Sequence, residues 1–218
     1  MGIPVLVLGA SGSGKSTALR NFKADEIGIF NVASKPLPFR SNLKKVDHAS
    51  YDIITRTLRA NKLNCYAIDD SQFLMVFEEF QRAKETGYQK FTDFALNFYG
   101  LVQTVINDTS PDTIVYFLHH TEQDEFGKVK AKTVGKMIDN KLTLEGLFSI
   151  VLLCGTDGMQ HWFETQNDGY SSCKTPLGMW EDKRIDNDLR AVDTVIRDYW
   201  GLKPITTKTN NDKEEKKA

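Results

Sequence analysis

Cysteine is scarce in this chain, and Cys65, Cys154 and Cys173 stand far apart with no Cys-x-x-Cys pair. An odd, scattered set excludes a disulfide framework and offers zinc no paired ligands. The thiols are therefore expected to be reduced and buried, as in a cytoplasmic protein. Excess charge is also lacking, since 28 Lys and Arg stand against 29 Asp and Glu, a net charge of -1. That balance removes any global attraction to nucleic acid, so such a site would have to be a local basic patch. Arginine is absent between Arg82 and Arg184, which leaves lysine as the cation of the central loops. No apolar run reaches the length of a membrane span. The first residues read as a strand, not a signal peptide, and no Ser or Thr stands at position 6 for myristoylation.

What is present suits one soluble domain: 218 residues with 40% hydrophobic and 26% charged content can bury a substantial core. Residues 1–202 are expected to form it. The polar, unpatterned stretch 203–218 is expected to be disordered. No internal repeat is visible.

The apolar run Ile3 to Leu8 leads directly into Gly9-Ala10-Ser11-Gly12-Ser13-Gly14-Lys15-Ser16, followed by helix-compatible residues from Ser16 to Phe22. This is the G-x-x-x-x-G-K-[ST] pattern between a strand and a helix, the setting of a phosphate loop. Backbone N–H groups from Gly9 to Thr17 would cradle a polyphosphate, aided by a helix N-terminus. Lys15 would reach the β- and γ-phosphates, and the Ser16 hydroxyl would ligate Mg²⁺.

Further strands are expected at 27–32, 65–68, 113–118 and 148–154, with an edge strand at 159–165. Helices are expected at 51–60, over 73–106 with a break near Gly87, around 142–147, and at 185–200. The charged segment 121–136 reads as a hairpin turning at Phe126-Gly127. Alternating strands and helices predict an α/β fold with a mostly parallel sheet and helices on both faces. Ligands of such sheets sit beyond the carboxyl ends of the strands.

Those ends supply the remaining candidates. Asp69-Asp70 follows an apolar strand about fifty residues after the glycine-rich loop, as a Walker B pair would. Asp69 is the Mg²⁺ candidate and Asp70 the group that orients or deprotonates the attacking water. A helix cap is the plainer reading of the pair. His119 ends the strand over 113–118, where it could touch the γ-phosphate or serve as a structural residue. His120 points the other way if the strand continues. Lys128, Lys130, Lys132 and Lys136 make the hairpin either a solvated loop or one that meets nucleic-acid backbone or a neighbouring subunit's nucleotide. Lys35 and Lys174 are further candidates for those roles.

Taken together, the motifs at 9–16 and 68–75, His119-His120-Thr121-Glu122 and Thr133-Val134-Gly135-Lys136-Met137 resemble phage-encoded AAA/RecA-like ATPases. That group includes RecA-like single-strand annealing proteins, and the resemblance spans about residues 3–200. It implies a RecA-type core, ATP with Mg²⁺, a single-stranded DNA partner, and assembly into rings or filaments. A single-strand DNA-binding protein is a further implied partner, and the host cytoplasm the implied location. By position it gives Lys15 and Ser16 the Walker A role, Asp69 the Walker B role and His119 the polar sensor role. RecA carries a catalytic glutamate after its second strand, whereas this chain reads Asn31-Val32-Ala33-Ser34-Lys35 there. The base role then falls to Asp70, or the ATPase is weak. An arginine finger from the central loops is excluded, which leaves a trans-acting lysine such as Lys132 or Lys136.

The expected function is thus an ATP-dependent DNA-recombination protein acting on single-stranded DNA. A small-molecule or nucleoside kinase is the alternative, disfavoured because the would-be lid 121–136 has carboxylates and no arginine. A nucleotide-dependent assembly switch with a protein partner is the third reading. No Asn-Lys-x-Asp guanine signature occurs, so ATP is the default nucleotide.

Overall fold

A computed structural model describes residues 1–135 and 143–205. Among the described residues nine strands make one mostly parallel sheet: β1 (Ile3–Gly9), β2 (Gly28–Asn31), β3 (Lys45–Asp47), β4 (Cys65–Asp69), β5 (Ile114–Gln123), β6 (Val129–Ala131), β7 (Ile150–Thr156), β8 (His161–Glu164) and β9 (Arg184–Asp186). Among the described residues there are four α-helices: α1 (Tyr51–Arg59), α2 (Phe73–Gln81), α3 (Gln89–Asp108) and α4 (Leu189–Trp200). None of them is long and apolar enough to cross a membrane.

The strands run in the order β3-β2-β4-β5-β1-β7-β8-β9, with β6 folded back on the outer end of β5. The six strands from β3 to β7 are parallel, while β8 and β9 return antiparallel. β1 and the first half of β5 are buried on both faces, which is why they read as unbroken apolar runs. Side chains of α1, α2 and α3 pack with Leu6, Leu8 and Phe117 on one face of the sheet. Leu189, Val192 and Ile196 of α4 pack with Val5, Val7 and Leu118 on the other. Helices therefore cover both faces, as the strand–helix alternation predicts.

Several boundaries differ from expectation. The segment after the glycine-rich loop is one 3-10 turn, Ser16–Leu19, not an α-helix through Phe22. Ser16 and Thr17 are modest helix formers. Within a few residues the chain is turned toward β2 by Glu26, which accepts from Lys23 N and from Arg190. β5 runs on to Gln123 because β6 pairs with its distal end, and Asp124 accepts from Phe126 N and Lys128 N in the turn between them. β8 is interior rather than an edge, since β9 pairs with its free side. Ile185, expected in the last helix, lies in β9 instead, and α4 starts after Asp188, which caps Arg190 N and Ala191 N. Near Leu147 there is a 3-10 turn, Leu144–Leu147; residue 142 lies outside the described residues. Cys65, Cys154 and Cys173 are buried free thiols.

At the amino end of the sheet Arg197 joins four segments. It pairs with the fully buried Asp193 and donates to Asp112 O, Lys203 O and Asn64 O. Lys203 is tied further to Asp112, and Pro204 O accepts from Asn64. Residues 203–205 are thus held against the body, where the sequence predicts disorder. The remainder of that stretch lies outside the described residues.

Candidate functional site

The carboxyl ends of β1, β4 and β5 meet at one crevice. β5 lies between β1 and β4, and its register sets His120 level with Gly9. β7 flanks β1 on its other side, so the chain switches sides of β1 at this point, where parallel sheets hold ligands.

The glycine-rich loop bends tightly, with φ of 79° at Gly12 and 100° at Gly14. Gly14 is also crowded, because a Cβ there would lie 2.9 Å from His161 Nδ1. The loop is braced from behind: His161 Nδ1 donates to Ser13 O at 2.9 Å, and Arg20 donates to Asn187 O. Its Lys15 is only 5% exposed and donates to Gly9 O and Ala10 O at 2.7 and 2.8 Å. Burial lowers the Lys15 ammonium from its ordinary value, opposed by nearby Cys154 and the two aspartates. A buried ammonium held only by neutral carbonyls favours an incoming anion.

Ser16 and Asp69 are joined directly, Ser16 Oγ donating to Asp69 Oδ1 at 2.7 Å. Burial raises the Asp69 carboxyl; the Ser16 bond acts against this and the Asp70 charge adds to it. A desolvated carboxylate beside a hydroxyl is suited to a hard divalent cation. Among the described residues no three His, Cys, Asp or Glu side chains gather to hold a metal. Ser16 and Asp69 instead offer the sparse oxygen set that Mg²⁺ takes when phosphates and water complete its shell.

Asp70 differs from its neighbour. Burial alone would raise its carboxyl, but hydrogen bonds from His120 and Lys35 outweigh this and hold it below the ordinary value. His120 Nε2 lies 3.0 Å from Asp70 Oδ1, and Lys35 Nζ 2.6 Å from Oδ2. Asp70 adopts φ 60°, a left-handed conformation uncommon outside glycine. Such strain, costing on the order of 1 kcal/mol, clusters at functional sites.

The cleft, about 220 Å³, is lined by Ser11, Gly12, Gly14, Lys15, Ser16 and Thr17 together with Lys35, Pro36, Pro38, Asp69, Asp70 and His120. Gly9, Ala10 and Ser13 complete the loop, their carbonyls engaged by Lys15 and His161. His119 is not at the cleft. It is fully buried on the α3 face, bonded to Ser71 Oγ at 2.9 Å and Lys132 O at 2.8 Å, with its ring edge-on to Phe98. Because β5 remains a strand through both histidines, they point to opposite faces, and it is His120 that lines the cleft.

The hairpin lysines separate. Lys132 lines a neighbouring hollow with Gln72, Phe73 and His120. Lys130 pairs with Glu122 on the opposite strand, and Lys128 sits at the turn. Lys136 lies outside the described residues. His161 and Asn187 carry no sequence signal, since their contact with the loop depends on β8 and β9 returning beside β7. No protein-family model matches this chain, and no curated protein is detectably similar to it.

Proposed function

We propose that this chain binds ATP with Mg²⁺ in the cleft and hydrolyses it as a RecA-type phosphate-loop ATPase whose partner is single-stranded DNA. The Ser16–Asp69 hydrogen bond carries the reading, because it joins the two residues that would hold the cation beside the glycine-rich loop. Lys15 would exchange Gly9 O and Ala10 O for phosphate oxygens, and the backbone N–H groups of residues 9–17 would take the remainder. Mg²⁺, held by Ser16 and, directly or through water, by Asp69, would neutralise charge on the β- and γ-phosphates.

Asp70 is the base in this reading. Water attacks the γ-phosphorus, its proton passes to the Asp70 carboxylate, and the bond to the bridging oxygen breaks. That electron pair leaves with ADP. His120 is a positioning residue, holding Asp70 Oδ1. The interposed β5 supports the RecA-type assignment, because it sets a polar residue, His120, in the cleft with the loop and the acidic pair. The DNA partner, ring or filament assembly and a cytoplasmic setting rest on the sequence resemblance, with the lysine-bearing hairpin as the nearest basic element.

ATP hydrolysis measured with and without single-stranded DNA, alongside the mass distribution in solution, tests the proposal. Stimulation by DNA together with assembly is expected, and Lys15→Ala should abolish turnover. DNA binding that ignores ATP at low salt would remove the DNA role. A phosphorylated small molecule as product would make the protein a kinase.

A further inference from the structure

We infer that Lys35 is a second catalytic cation of the cleft, one that exchanges the Asp70 carboxylate for the terminal phosphate of bound nucleotide. The inference rests on the nucleotide-binding reading and assigns the cation that would distinguish ATP from ADP. With no arginine between Arg82 and Arg184, that role has no arginine from the central loops.

Lys35 combines a fixed backbone with an accessible side chain. Asn31, 1% exposed, donates from Nδ2 to Lys35 O at 2.7 Å and to Asp47 Oδ1 at 2.6 Å. The preceding Ser34 adopts φ 56° and accepts from His48 N. The root of Lys35 is therefore set at the mouth of the cleft. Its side chain is 59% exposed, and its ammonium touches Asp70 Oδ2 at 2.6 Å and lies 5.6 Å from the Phe73 ring. Lys35 lines the same cleft as Ser11, Lys15 and Ser16.

Because only Asp70 of this pair is buried, the Lys35 ammonium can swing to another anion at the cleft mouth. A γ-phosphate carries more charge than one carboxylate, so a lysine on a flexible stem favours it when both are within reach. Asp70 would lose one partner and keep His120, which leaves Oδ2 open toward the cleft. ADP presents no γ-phosphate there, so Lys35 would stay with Asp70. Lys35 therefore couples the presence of the third phosphate to exposure of the Asp70 carboxylate.

A thermodynamic cycle tests this, using fluorescent ATP and ADP analogues with Mg²⁺ on the full chain. Lys35→Ala is expected to weaken ATP about tenfold, the worth of one charged hydrogen bond, and to leave ADP within about twofold. Lys35→Arg should keep most of the preference for ATP. Asp70→Asn should tighten ATP severalfold by releasing Lys35, and this gain should vanish in the Lys35→Ala background. Retained ADP binding reports that each variant is folded. Equal effects of Lys35→Ala on ATP and ADP would overturn the inference. So would an Asp70→Asn gain that persists without Lys35, because general charge repulsion then explains it. If the wild-type chain binds neither nucleotide, the nucleotide-site reading fails and the role of Lys35 falls with it.

Discussion

Ser16 Oγ and Asp69 Oδ1 meet at 2.7 Å although 53 positions separate them in the chain. The strands that lead to them are not neighbours, because β5 stands between β1 and β4. The bond therefore crosses the mouth of the crevice, which His120 of β5 also lines. Three strands contribute to one small polar volume, and none of the three contributions is meaningful without the others.

Asp69→Asn keeps an oxygen for the Ser16 hydroxyl and removes the charge a cation would use. Wild-type protein is expected to bind ATP at least about tenfold more tightly with Mg²⁺ than with EDTA, as an intact hard-oxygen site would allow. In Asp69→Asn the two conditions should converge. Titration calorimetry reads both, and wild-type binding indifferent to Mg²⁺ would exclude Ser16 and Asp69 as a metal site.

The two adjacent histidines should separate cleanly. His119→Ala removes a fully buried ring with two hydrogen bonds and should cost about 2–4 kcal/mol of stability in urea denaturation. His120→Ala, at the cleft, should cost little stability and reduce ATP turnover about tenfold or more by loosening Asp70. The opposite pattern would mean that His119, not His120, faces the cleft.

Acid sensitivity follows from the same buried ring. Burial pushes the folded His119 imidazole down to about 4, so between that value and the ordinary 6.5 only the unfolded chain takes up the proton. Its stability contribution is complete near neutrality and is lost as pH falls through that window, by at most about 3 kcal/mol. The difference in urea midpoint between pH 7 and 4.5 should shrink in His119→Gln. An unchanged difference would show that other groups govern acid unfolding.

Arg197→Met leaves Asp193 charged and buried without its main partner, and also unties Asp112, Asn64 and Lys203. A loss of about 3–5 kcal/mol is expected. The hub is at the amino end of the sheet, so nucleotide affinity measured well below the unfolding temperature should be unaltered. A selective loss of affinity would show coupling between the two ends of the sheet.

The alternation of apolar strands with helical periodicity was sufficient to predict the parallel α/β sheet, its helices on both faces and the break between α2 and α3. The positions of the glycine-rich run and the acidic pair were equally legible, because they are local: a strand ends, and polar residues follow. β3 and β9 are not legible in the sequence, because three-residue strands with exposed charged positions carry no apolar period.

The sequence by itself therefore determined that the glycine-rich loop and the acidic pair would each follow an apolar strand, and roughly where the chain would deliver them. Tertiary structure decided which of them meet. Whether His119 or His120 faces the loop turns on β5 remaining a strand through both, held by β6 and by Phe117 packing on Phe98 and Phe148. One residue of strand phase reverses the face a side chain presents, and periodicity does not report where a strand stops. Lys35 reaches Asp70 only because β2 and β4 are paired, setting Asn31 beside Asp69. Such contacts depend on strand order, a property of the assembled sheet that no local pattern encodes.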